Sequence, residues 1–172
     1  MTRMLQLADE AKEIGESLIG QYHTHLADCK ILYVFTDARR KQHNATMLAS
    51  AQKMGDMSRF IASHFESVES GPDFLILIGI NEWSDMTPTE KRRTVDHELC
   101  HCKIYVKNGK DWIVLPENED RDEYAEWKYG IVTHDIEEFA SILERYELPE
   151  NRVTEVFLQH ALPGTRRLEA VS

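Results

Sequence analysis

Apolar positions along the chain recur with two different periods, and the switches between them predict its elements. Met4, Leu7, Ala8, Ala11, Ile14, Leu18, Tyr22 and Leu26 keep close to a helical period, which predicts one packing helix over 4–26. The runs KILYVFT at 30–36 and DFLILIGI at 73–80 are unbroken, β-branched and aromatic. Ser70, Gly71 and Pro72 punctuate the chain ahead of the second run, so both read as strands, central and buried on both faces. Between them Met47, Leu48, Ala51, Met54, Ser58, Ile61 and Phe65 trace a helical stripe interrupted by Gly55, with its methionines as core filler.

Thr87-Pro88-Thr89-Glu90 has the form of a capping box with proline at the first helical position, and predicts a helix start. Asn108-Gly109 offers a left-handed stop, so this helix is expected to run for about five turns, to about 107. On a helical wheel Val95, Leu99, Cys102 and Val106 then share one stripe. Residues 111–116 (DWIVLP) predict a further strand, at a sheet edge because proline ends it. A loop or lid is expected over 117–127, with Tyr124 and Trp127 near its opening. Ile136, Phe139, Ala140, Leu143 and Tyr146 predict a helix after Gly130-Ile131-Val132-Thr133. Val153, Val156, Phe157 and Leu158 predict a last helix, and 163–172 a frayed tail. These elements amount to a small α+β fold: a short, mostly buried sheet of about three strands covered by helices, in a single domain over 1–172.

With 42% hydrophobic and 29% charged residues, the composition is that of an ordinary globular chain. No run approaches the roughly 18 apolar residues needed to cross a bilayer. Acids stand in the N-terminal stretch where a signal peptide has its apolar core, so a cytoplasmic location without membrane contact is expected. The three cysteines are an odd count and are expected to be reduced. Positions 111–150 hold 13 acids against Arg121, Lys128 and Arg145, which accounts for the whole net charge of −10. Such a belt argues against a nucleic-acid footprint; it suits a basic peptide or partner, or a solvated acidic loop. The one basic cluster, Arg39-Arg40-Lys41-Gln42-His43, lacks interleaved aromatics and reads as a solvated loop.

The chemistry concentrates in His97-Glu98-Leu99-Cys100-His101, an HExxH pattern. Residues four apart share a helix face, so His97 and His101 can offer imidazole nitrogens to one ion, with zinc the expected metal. Glu98, about 100° around the helix, is placed to take a proton from the water that the metal activates. A hydrolytic zinc site needs a third protein ligand. His134 and Glu138 lie four apart in the later helix; His134 is the preferred ligand, with Glu138 orienting an imidazole or taking the ligand role itself. The alternative for Glu137 and Glu138 is that they only favour the helix N-terminus through its dipole. A structural zinc site of Cys100, Cys102 and the histidines is disfavoured, because the wheel puts Cys102 on the core stripe and Cys100 away from the histidine pair. His23, His25, His43, His64 and His160 have no partner at metal spacing and read as surface or hydrogen-bonded residues. Tyr105, Tyr124, Tyr129 and Tyr146 are all open as oxyanion donors.

The stretch from about 81 to 146, with NEW, HELCHC and HDIEEFASILERY, resembles the phage metallopeptidases, small zincin-like proteins of bacteriophages and prophages. The resemblance implies a zinc peptidase fold with the motif on a central helix. It also implies His97, His101 and His134 as ligands, Glu98 as the catalytic residue, and the host cytoplasm as location. A weaker similarity runs to the ImmA/IrrE-like and SprT-like peptidases; in the former an acidic residue stands where His134 is here. The predicted function is zinc-dependent hydrolysis of peptide bonds, with a peptide or protein substrate aligned along the 111–116 edge. The competing class is a phage interaction or regulatory protein, acting on host defence or a repressor switch, that keeps the metal without proteolysis.

Overall fold

The structure, a computed structural model, describes residues 4–37, 41–42, 45–46, 48–66, 71–116, 119–133 and 140–146. The chain divides into two compact units, Met1–Thr133 and His134–Ser172.

The architecture is mixed α and β, and the two apolar runs form its centre. Strand β2 (Ile31–Thr36) and strand β6 (Phe74–Gly79) are parallel neighbours, in register from Ile31 opposite Phe74 to Thr36 opposite Gly79. Antiparallel edge strands flank them, β1 (Leu5–Leu7) on β2 and β5 (Ala49–Lys53) on β6, so the sheet order is β1-β2-β6-β5. The main sheet thus has four strands, where about three are expected. A small antiparallel ribbon, β3 (Lys41–Gln42) with β4 (Ala45–Thr46), stands apart.

Both extra strands come from segments that the helical period claims. Leu5 and Leu7 fit a two-residue period and pair with Thr36 and Val34; helix α1 starts only at Asp9 and runs to Tyr22, followed by a 3-10 turn at Thr24–Leu26. The stripe from Met47 divides at Gly55 into β5 and helix α2 (Asp56–Glu66). Ala49 and Ala51, opposite Ile78 and Ile76, are too small to distinguish two-residue from three-residue spacing. Of the stripe's two methionines, Met54 is half-buried and Met47 lies outside the described residues.

One face of the main sheet presents Tyr33, Phe35, Phe74, Ile76 and Ile78. Ala11 and Leu18 of α1, Leu26, and Val95 and Leu99 of helix α4 (Pro88–His101) close over it and are fully buried. At about 1.5–3 kcal/mol per buried Leu, Ile, Val or Phe side chain, this cluster fixes α4 against the sheet. Helix α3 (Ile80–Asp85) leads into α4. The α4 start is as expected: the Thr87 hydroxyl accepts from the Glu90 amide at 3.3 Å, and the Glu90 carboxylate accepts from the Thr87 amide at 2.7 Å.

The α4 end is not as expected. The helix stops at His101, and Cys102–Asn108 is strand β7. Cys102, Ile104 and Val106 are buried while Lys103, Tyr105 and Lys107 are half-buried, a two-residue alternation that the wheel misread because positions 102 and 106 fit either period. Asn108 is the last residue of β7 and pairs with Asp111 across a two-residue hairpin turn, Gly109-Lys110, with Gly109 at φ 64°, so the expected helix stop is a hairpin. It leads into β8 (Asp111–Val114), an edge strand as expected. A strand absent from the sequence reading, β9 (Trp127–Ile131), covers the other side of β7, giving an antiparallel order β8-β7-β9. The expected lid contains a 3-10 turn at Arg121–Glu123. In the second unit, α5 (Ala140–Arg145) falls within the helix expected there. The expected last helix and the 163–172 tail lie outside the described residues. No helix among the described residues is long and apolar enough to cross a membrane.

Candidate metal centre

HELCH occupies the last turn of α4, not the middle of a longer helix. His97 and His101 are half-buried with ring centroids 5.1 Å apart and planes 72° from parallel, while Glu98 is only 5% exposed. The change of structure after His101 fixes that residue. β9 pairs with β7 up to Ile131 opposite Cys102, and the next residue, Val132, continues the contact one step further. Its amide donates to the His101 carbonyl at 3.0 Å, satisfying a helix-terminal acceptor. Its carbonyl accepts from His101 Nδ1 at 2.7 Å. A carbonyl can only accept, so Nδ1 carries the proton and the lone pair resides on Nε2. A metal-binding imidazole is ordinarily oriented in this way by a backbone carbonyl, and the pair therefore fits a divalent cation held through Nε2 of His101 with His97 beside it.

The same end of α4 contributes to a second gathering of ligand-type groups. His23, Asp96 and Cys100 are buried, with donor atoms all within 4.8 Å of one another. His23, just past the end of α1, places Nε2 2.6 Å from Asp96 Oδ1. It is thus a buried, hydrogen-bonded histidine whose partner is 73 positions away, beyond the reach of any local spacing rule. Cys100 belongs to this cluster, whereas Cys102 lies in β7 and donates its thiol to the Glu98 carbonyl at 3.6 Å. All three cysteines are free thiols.

Burial sets the protonation of the neighbours. It pushes His25 down to about 4, helped by nearby Lys103, and His25 Nε2 lies 3.3 Å from the Cys102 carbonyl. Burial likewise pushes the Cys29 thiol up to about 12 and the Cys102 thiol and Tyr129 hydroxyl above their usual ranges. Of the tyrosines open as oxyanion donors, Tyr124 donates to Glu119, and Tyr129 accepts from Arg121 at 3.3 Å while packing edge-on to Phe74. Tyr105 lies against Gly130, where a Cβ would collide with its ring, and Tyr146 follows α5 in the second unit. His134, Glu137 and Glu138 lie outside the described residues, as do His43 and His160.

No curated protein and no solved structure matches the chain. A family model, described as putative phage metallopeptidase, matches residues 4–161, which is most of the 172. The name is that of a metal-dependent peptidase, in keeping with ligand-type side chains gathered along α4. By the extent of that match, the chain belongs to the phage metallopeptidase family.

Proposed function

We propose that the chain is a zinc-dependent peptidase whose metal is held by His97, His101 and His134, with Glu98 as general base. The observation that carries this reading is the Nδ1 bond from His101 to the Val132 carbonyl, which leaves the Nε2 lone pair on the side of a ligand. Family membership and the motif's place on α4 support it. A bound zinc ion would supply Lewis acidity, acidifying water and polarising the scissile carbonyl.

The residues supply the rest. Glu98, drawn out of bulk water, takes a proton from the attacking water and returns it to the departing amide nitrogen. His134 completes the ligand set, with Glu138 its partner or substitute; both assignments rest on the sequence. The substrate is a peptide or protein. β8 is an edge strand whose backbone can add an extended peptide as a further strand, with exposed Trp112 and Val114 beside it. Glu119, Asp120, Asp122, Glu123 and Glu126, which follow β8 in the same unit, favour a basic peptide as substrate. A cytoplasmic site of action belongs to the same reading.

The test is cleavage of host-cell lysate proteins by wild type and by Glu98→Gln, with mapping of new peptide termini. Loss of a general base lowers turnover by about 100-fold or more, so wild type generates termini that Glu98→Gln does not, at unchanged metal content. Identical terminus profiles would favour the interaction or regulatory class instead.

A further inference from the structure

The last turn of α4 carries two pairs of ligand-type residues at i, i+4 spacing, offset by one position: His97 with His101, and Asp96 with Cys100. The first pair is half-buried. The second is deeply buried, and α1 delivers His23 to it, so that His23, Asp96 and Cys100 are 2%, 0% and 3% exposed. We propose that His23, Asp96 and Cys100 form a second, structural site for a divalent transition-metal cation, zinc first, distinct from the His97–His101 centre.

The donor set is one imidazole nitrogen, one carboxylate and one thiol, a combination that suits zinc or cobalt and not magnesium or calcium. Ligand atoms around one tetrahedral zinc stand about 3.5 Å apart, given bonds of about 2.0–2.3 Å. The cluster's donor atoms lie within 4.8 Å of one another, and the closest two at 2.6 Å share a proton that an ion would displace while moving them slightly apart. Binding also releases the Cys100 proton, since the thiolate is the ligand. Asp96 can supply one oxygen or both, and a water fits any remaining position. Burying an acid, an imidazole and a thiol together in apolar surroundings costs free energy that a 2+ charge offsets. In position, the ion would tie the end of α1 to the last turn of α4, the turn that carries HELCH.

This site does not depend on the peptidase reading, and the two fail separately. Metal-free full-length protein is titrated with Co2+ alone, following stoichiometry and the near-ultraviolet thiolate-to-cobalt charge-transfer band. The His97–His101 centre contains no sulfur, so the band reports only the proposed site. Wild type is expected to take up two ions and show the band. His97→Ala/His101→Ala should keep one ion and the full band, Cys100→Ser should lose the band and one ion, and Cys29→Ser should change neither. Wild-type protein that binds cobalt without a thiolate band overturns the proposal, and needs no variant to fold. So does a band that survives Cys100→Ser, or one ion at saturation that His97→Ala/His101→Ala abolishes. In each of those cases the His23–Asp96 contact is a hydrogen-bonded core pair only.

Discussion

Cys29 sits where a thiolate is costly. Burial is the larger cause, the Asp73 carboxylate adds to it, and the Arg121 guanidinium opposes it only in part, leaving the thiol at about 12 instead of 9. A raised acid is neutral in the folded protein while its unfolded counterpart ionises. Its stabilising contribution is therefore complete below pH 9 and is lost as pH rises from 9 to 12. At pH 8 a three-unit shift means about 1000-fold less thiolate, so Cys29 in native protein should alkylate about that much more slowly than in unfolded protein. Mass spectrometry after timed iodoacetamide treatment checks this, and labelling at equal rates would contradict it. At this scale, the legible parts of the site were those with a local signature. HELCH and the Thr87–Glu90 capping box lie within a few positions and could be read directly. The Val132 carbonyl could not, because a backbone acceptor carries no side-chain signal, and His23 looked solitary because Asp96 is far along the chain.

Two glycines of α1 separate packing from propensity at the scale of an element. A Cβ on Gly15 would collide with the Tyr33 hydroxyl, whereas a Cβ on Gly20 would meet nothing within 4 Å. Gly15→Ala should destabilise by about 1–3 kcal/mol through overpacking, despite alanine's better helix propensity. Gly20→Ala should stabilise by up to about 1 kcal/mol. Urea denaturation midpoints of the two variants measure both, and a stabilised Gly15→Ala would show that α1 does not press on β2 in this way. At the helix start, Thr87→Ala removes the cap and should cost about 1 kcal/mol in the same assay.

Elements are legible in the sequence where one period is strong and hidden where two coincide. β2 and β6 were visible as continuous apolar runs, and β8 as a short run ended by proline. β5 was hidden by small alanines, and β7 by Cys102 and Val106, whose spacing satisfies helix and strand alike. β9 escaped because its burial is shallow, with Trp127 and Ile131 exposed. The consequence reaches function: the switch from α4 to β7 at His101 is what brings Val132 onto the imidazole, so the misplaced helix end concealed the feature that orients the ligand.

For the whole molecule, ions that bind the folded chain alone stabilise it by mass action. At a free zinc concentration 100 to 1000 times the dissociation constant this amounts to about 3–4 kcal/mol, so chelation should lower the Tm and added zinc should restore it. Differential scanning calorimetry with and without a chelator reads the change, and a Tm indifferent to both would mean that the folded chain holds no ion. Pairing across the sequence, such as β2 beside β6, was not legible, since parallel strands 43 positions apart share no turn that fixes their register.

Anomalous diffraction at the zinc edge from crystals of the zinc-loaded protein tests directly whether His97 and His101 hold one ion. The expected result is a peak bonded to Nε2 of His101 and to a ring nitrogen of His97, with Nδ1 of His101 still on the Val132 carbonyl and the Glu98 carboxylate facing the ion. A fully loaded crystal with no peak between those two imidazoles would contradict it.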